Sequence, residues 1–540
     1  MRGRGMERRA LMLAMGGFVG AAAWGGGAAP AAAAGGSGVV VDVTAAPYGA
    51  KGDGTTDDSA AFQAALTAVK AVPGGATLLI PPGTYAIRTS LVLGAGTTVI
   101  AYGATIVRTG DSGALLKNFD TVTQVYGYEG AGSVAVLGGT WDMRGGQHPK
   151  QSDAMGFAHC DGVLVKDCTI LDTPSAHAIE LNAVRNAAVV NCVFDGHHPG
   201  DGASLTTKEA VQITCATEGN LPAPAYDLTT CEDILITGCT LKAGTTTGPF
   251  GALCGDHWGA KGKSHRRIRV VGNTVEKSGA YGVHVADWQD SVVADNTIDG
   301  VALHGIYLNS PQGNALSGIT VSGNTVRNVD GSGGITVSVP KFTTVPVTYG
   351  ARHSDLTITG NTVESVKGEA AIYVSRTDGV AVTRNTVTGT VRLTDTGNAQ
   401  GIHVQECPNA VVTHNTVTDV QGDGIGLDTN VTGAVVAGNT VTTATNYGIH
   451  AAAGAGAIRG NRVTGATTYG IRITGAADTI CQGNTIGTVT TVSGTAAAAV
   501  AVTSTCTGVW VVGNDLSGRG GGTAAVSDLG AGTTVSGNLV

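Results

Sequence analysis

From about residue 155 onward one short pattern recurs: a small residue, an aliphatic, a variable position and a second aliphatic, then a turn, then a short strand ending in Gly-Asn-Thr-Val or a variant of it. Ala178-Ile179-Glu180-Leu181, Ala210-Val211-Gln212-Ile213, Gly282-Val283-His284-Val285, Gly305-Ile306-Tyr307-Leu308 and Gly401-Ile402-His403-Val404 are instances of the first half. Asparagines at 273, 296, 324, 361, 385, 415, 439, 461, 484, 514 and 538 mark the second. The alternation has the two-residue period of a strand, and no stretch inside the repeat has the period of an amphipathic helix. Each unit of about 22 to 30 residues can bury its aliphatics only by stacking on the next. The pattern therefore predicts an all-β chain wound as a parallel β-helix, one coil per repeat, and three short strands per coil point to the right-handed form.

Alternation also assigns directions. In Ile-x-Val the aliphatics point into the coil and x points out, so the x residues are expected to form one stacked outer row. The small residue two positions before x has the same parity, and is expected to face outward and leave room beside the row. The asparagines are expected to form a ladder at a turn, bonding to one another and to backbone. Cys168, Cys192 and Cys239 occupy the asparagine register in the early coils and read as an inward-packed continuation of it.

Composition narrows the classes. Charged residues are 13% of the 540, and 84 glycines show no three-residue period, which excludes disorder and collagen. A net charge of -8 provides no basic field for nucleic acid or anionic lipid, so neither is an expected partner. Residues 1–34, with arginines at 2, 4, 8 and 9, an apolar stretch from Ala10 to Trp24 and small residues at 31–34, read as a signal peptide, and the Arg8-Arg9 pair resembles a twin-arginine signal. The expectation is a secreted, extracellular protein whose residues 38–540 form a single domain with no membrane span. Ten cysteines are sparse for this length, and about half are expected to be buried as small hydrophobes.

Residues 38–110 read as an N-terminal cap with the first coils. Their stretch Tyr48-Gly49-Ala50-Lys51-Gly52-Asp53-Gly54-Thr55-Thr56-Asp57-Asp58, a helix expected over 59–72, and Ile80-Pro81-Pro82-Gly83-Thr84-Tyr85 resemble the opening of the pectate-lyase superfamily. The resemblance implies a secreted right-handed β-helix with an N-terminal capping helix. It leaves the reaction open, because lyases, hydrolases, transferases and epimerases share this opening. Asp57 or Asp58 is expected to cap the helix, and Asp53 to have a structural role with them. The final repeat at 533–540 shows no cap of its own, so a bare edge or a second copy of the chain, making a homo-oligomer, is expected there.

The ionisable residues converge on the coils between 153 and 307, which hold most of the 13 histidines. Glu180, Gln212, His284 and Tyr307 share the x position, and the gap between Gln212 and His284 leaves room for an irregular coil at Gly251-Ala252-Leu253-Cys254. At about 4.8 Å per coil these side chains line a groove about 20 Å long, sized for several sugar units. Lys208-Glu209-Ala210-Val211-Gln212-Ile213, with the upstream His177-x-x-Glu180 and the downstream Gly255-Asp256-His257, is similar to a segment of bacterial secreted β-helix proteins related to pectate lyases. That resemblance implies only where a site lies.

The expected partner is an extracellular polysaccharide. Elimination beside a uronate carboxylate needs a base, an electrostatic stabiliser and an acid, which His257 or His284, Lys208 and Tyr307 supply. Hydrolysis needs two carboxyl groups, from Glu180 and Glu209 or from Glu209 and Asp256. His177, Gln212, Asp256, Asp287, His304 and Trp258 are candidate substrate contacts. Asp153 and Asp256 are oxygen donors for a calcium ion, though no calcium-loop motif accompanies them. The segment from Thr214 to Cys231 is the candidate lid or subsite wall. Elimination on an acidic glycan is the leading expectation, hydrolysis the runner-up, and a non-catalytic carbohydrate-binding or surface protein the third.

Overall fold

The structure, a computed structural model, describes residues 38–540 apart from 201–203, 219–220, 222–224, 245–246, 343–347, 395–398, 429, 453, 455 and 491–496. The expected signal peptide lies outside the described residues.

The repeat winds into a parallel β-helix. Each coil contributes two strands to one ladder and a third to a second ladder, as Tyr281–Ala286, Val292–Ala294 and Thr297–Val301 do. Stacking is in register: Ile179 pairs with Val211, Val283 with Ile306, and Ile306 with Ile335. Like residues therefore form columns, and the aliphatic columns merge into one core running from Val43 to Leu516. Each Val, Ile or Leu so buried contributes about 1.5–3 kcal/mol, which is how a chain poor in aromatics holds together.

The asparagines make the expected ladder inside the turn. Asn361 directs its backbone N–H and its Nδ2 to Asn385 Oδ1 at 3.0 and 2.9 Å, and Asn385 does the same to Asn415. Each amide also donates to a strand carbonyl, as Asn385 Nδ2 does to Ile358. At the N-terminal end the Cys239 N–H donates to Asn273 Oδ1, so the cysteine column does continue the ladder. All ten cysteines are buried, and no disulfide forms among the described residues.

Two expectations are corrected. Helix α1 (Ser59–Lys70) packs Phe62, Ala65, Leu66 and Val69 onto the first coils, but the aspartates before it divide the capping work. Asp57 accepts the Ser59 N–H at 3.0 Å, whereas Asp58 turns back to accept the Lys51 and Gly52 N–H groups and closes the preceding turn. The small residue two before x faces inward, not outward. Ala178 and Ala210 lie wholly in the core, and a Cβ on Gly305 would stand 2.2 Å from the buried Val326 side chain. The chain bends there, so strict alternation fails at the corner, and the residue three before x is the one that reaches the outer face.

Candidate functional site

The strands that carry the ionisable face, in chain order, are β1 (Asp153–Lys166), β2 (Ile179–Val190), β3 (Glu209–Thr214), β4 (Ala252–Gly255), β5 (Tyr281–Ala286), β6 (His304–Asn309) and β7 (Gly333–Val337). Strand β4 is the irregular coil read from the spacing, hydrogen-bonded to β3 and β5. Backbone pairing puts Gly156, Glu180, Gln212 and Gly255 in one row, with Cys254 opposite Val283 carrying it on to His284, Tyr307 and Thr336. The corner adds a parallel row three residues earlier, where Glu209 lies opposite Ala252 and Tyr281 opposite His304. A third row stands two residues after x, with Ala286 opposite Asn309.

Glu209 is the hub, only 1% exposed. Its Oε2 accepts from His257 Nδ1 at 2.9 Å and lies 3.7 Å from His177 Nδ1, while Oε1 lies 4.0 Å from His284 Nδ1. His177 Nδ1 donates to the Glu209 carbonyl at 2.8 Å. His284 Nε2 donates to Asn309 Oδ1 at 3.0 Å, Asn309 Nδ2 donates to the Tyr307 hydroxyl at 2.9 Å, and that hydroxyl meets Ser338 Oγ at 3.1 Å. The rings of His284, Tyr307 and His304 stack, His304 on Tyr307 at 4.4 Å.

Burial alone would raise the Glu209 carboxyl, but the adjoining His257 outweighs it and holds Glu209 well below the usual carboxylate range. Burial likewise works to lower His257, and the Glu209 charge reverses the balance and raises it. His177 and His304 are pushed down to about 4, first by burial. Asp153 and Glu180 are both pushed up by burial, Glu180 further by the neighbouring Asp153 charge. An ionised carboxylate thus shares one face with a buried carboxyl pair in which ionising Asp153 opposes ionising Glu180.

Several residues that the sequence put forward serve other contacts. Lys208 Nζ donates to the Ser175 carbonyl at 2.8 Å instead of reaching along the row. Glu180 Oε1 accepts from Leu221 N–H at 3.2 Å, so Leu221, from the segment expected as a lid, lies over it. Asp256 accepts from Trp258 N–H at 2.9 Å and lies 3.3 Å from His265 Nε2, and Asp153 accepts from His177 N–H at 3.0 Å. Asp153 and Asp256, the two suggested for calcium, therefore spend oxygens on protein donors and build no cage of the six to eight oxygens calcium takes. Asp287 is wholly buried, accepting from Ser310 and Asn314, and faces the underside of the 256–264 loop. Gln212 is buried, and its Nε2 has no partner among the described residues. Trp258 is 49% exposed at the mouth, its indole N–H bonded to the Glu218 carbonyl. Sequence reasoning missed Tyr281, His265, Asn309 and Asn314. Tyr281 occupies the Glu209 position of its own coil, a signal visible only once the corner is known.

Residues 43–249 match the rhamnogalacturonase A/epimerase, pectate lyase-like family, residues 177–387 the right-handed beta helix region, and residues 346–520 the periplasmic copper-binding protein NosD. Together the first two place residues 43–387 among the pectate-lyase-like right-handed β-helices. Plasmin and fibronectin-binding protein A of Streptococcus pneumoniae is 28% identical over 191 residues, a match spanning 31% of this chain and 26% of that protein. The crystal structure of PfbA, a surface adhesin of Streptococcus pneumoniae, superposes with a TM-score of 0.56 at 18% identity over 76% of this chain and 91% of that one. A family 28 exopolygalacturonase of Yersinia enterocolitica gives 0.47 at 13% identity, covering 75% and 76%. At these identities the likeness of this pectate-lyase-like chain to the two structures is one of fold.

Proposed function

We propose that this face is the active site of a secreted enzyme that cleaves a uronate-containing polysaccharide by β-elimination. The observation that carries the reading is the Glu209–His257 pair. A buried, ionised carboxylate receives the Nδ1–H of an imidazole at the groove mouth, and the opposite nitrogen, Nε2, has no partner among the described residues. That is the arrangement of a general base: Nε2 takes the proton beside the uronate carboxylate, and Glu209 stabilises the imidazolium that results. Tyr307, whose oxygen accepts from Asn309 and meets Ser338 Oγ, turns its O–H from that serine to the leaving glycosidic oxygen. Trp258 offers a flat face for a sugar ring. Hydrolysis is the weaker alternative, because Glu180 lies under Leu221 and Asp256 is taken up by the Trp258 N–H and His265.

A second reading, in which the groove grips a ligand at the cell surface without cleaving it, is favoured by the likeness to the pneumococcal adhesin. No helix among the described residues is long and apolar enough to cross a membrane, which suits either reading. Incubation with a panel of uronate and neutral polysaccharides, following unsaturated-uronate absorbance and reducing ends together, separates the three. Both signals rising, and lost in Glu209→Gln and His257→Ala, supports elimination. Reducing ends alone indicate hydrolysis, and binding without either signal sinks the enzymatic reading.

A further inference from the structure

We infer that the Glu209 cluster is also a binding site for one divalent transition-metal ion of the zinc class. His177, Glu209 and His257 each present a ligand atom within 4.8 Å of the other two. The His284 Nδ1 joins them from the next coil, 4.0 Å from Glu209 Oε1. A tetrahedral ion bound at about 2.0–2.1 Å holds its ligand atoms about 3.4 Å apart. The separations from Glu209 Oε2, 2.9 Å to His257 and 3.7 Å to His177, bracket that value, and His284 Nδ1 stands beside the second carboxylate oxygen.

A second observation points the same way. Among the described residues Glu209 Oε1 and His284 Nδ1 have no hydrogen-bond partner, although their residues are 1% and 4% exposed. Buried polar atoms of this kind are costly unless something satisfies both. The His284 tautomer suits a ligand, because Nε2 is committed as donor to Asn309 Oδ1 and Nδ1 is left with its lone pair toward Glu209. Three imidazoles and one carboxylate favour zinc, copper or nickel over calcium. Loading gives up the bond from His177 Nδ1 to the Glu209 carbonyl, a modest loss beside four new ligand bonds. The inference uses no residue of the 346–520 segment that matches NosD.

One consequence rests on the elimination reading. The ion occupies His257 Nδ1, so the proton of the neutral ring resides on Nε2, where the base needs a lone pair. Bound metal then inhibits elimination instead of assisting it, and a chelator restores it.

The test is titration of chelator-treated full-length mature protein with zinc chloride, followed by calorimetry and by metal content after gel filtration. Cobalt absorption in the visible range reads the tetrahedral geometry. The expected result is one ion per chain, with affinity at least 100-fold weaker in His257→Ala and in the conservative Glu209→Gln, and unchanged in His403→Ala. Thermal unfolding of each metal-free variant shows that it is folded. Binding absent from the wild type, or unaltered in both variants, overturns the proposal and leaves the elimination reading standing. One zinc per chain in a protein that, even after chelator has stripped the metal, cleaves no uronate polymer supports the metal site and overturns that reading instead.

Discussion

Asn314 Nδ2 lies 2.9 Å from Asp287 Oδ1, and the same amide reaches the carbonyls of Ala260 and Lys263 while its Oδ1 accepts the Gly262 N–H at 2.7 Å. A carboxyl buried under the groove therefore fixes, through one asparagine, the loop that carries Asp256, His257 and Trp258. Burial pushes Asp287 up to about 6. Replacing Asn314 by Ala is expected to cost about 2 kcal/mol, since it leaves buried partners unmet. It should also lower uronate cleavage at least tenfold by loosening His257. Urea unfolding and initial rates on the same preparation check both, and full activity at reduced stability would detach the loop from the reaction.

Gly255 stands in the row between Gln212 and His284. A Cβ there would lie 2.6 Å from His284 Cβ and 2.9 Å from its carbonyl oxygen. Gly255→Ala is expected to displace His284 from Glu209 at a cost of about 1–3 kcal/mol. A fall in melting temperature together with weaker zinc binding is the expected pair of results. An unchanged melting temperature would mean that strand β4 yields without strain.

The asparagine ladder is expected to matter more to stability than any outer-row residue. Asn385→Ala removes the acceptor of the Asn361 N–H, one of the acceptors of Asn361 Nδ2, and the amide donor to the Ile358 carbonyl. A loss of about 3–5 kcal/mol is expected, against less than about 1 kcal/mol for Thr388→Ala on the outside of the same coil. Chemical denaturation of the two variants in parallel decides it.

Acid sensitivity should trace in part to His353. It is wholly buried, accepts the Leu316 N–H at its Nδ1, donates from Nε2 to the Ser338 carbonyl, and is pushed down by burial from 6.5 to about 4. The unfolded chain then binds more protons than the folded one between those values. Stability falls as the pH drops from about 6.5 to 4, by a total on the order of 3 kcal/mol from this residue. His353→Gln should flatten that part of the profile, and an unchanged pH slope in thermal unfolding would assign the acid transition elsewhere.

The architecture was legible because its signals are local and repeated. Ile-x-Val and the asparagine register recur at every coil, and the gap between Gln212 and His284 predicted β4 from spacing alone. The candidate site was legible as a stretch of chain only: the expected row held Glu180, Gln212, His284 and Tyr307, and it is the corner that brings His177 and Glu209 to the same face as His257 and His284. What the sequence could not convey was direction at the corner and the choice of partner. Alternation turned Ala178 and Gly282 the wrong way because it takes no account of a bend. Lys208, Asp256 and Asp287 found protein partners, the Ser175 carbonyl, Trp258 with His265, and Ser310 with Asn314, on stretches whose paths no periodicity encodes.

The corner that turns each small residue inward has a further meaning for how such a surface changes over time. It converts a winding chain into a grid of addresses, three columns wide, in which every side chain is placed by its coil and column and not by its sequence neighbours. Chemistry can be rewritten at one address without refolding the rest. A whole coil gained or lost beyond Thr336 would lengthen or shorten the surface and leave the spacing of Glu209, His257 and His284 untouched, whereas a single coil removed between Glu209 and His284 would erase it.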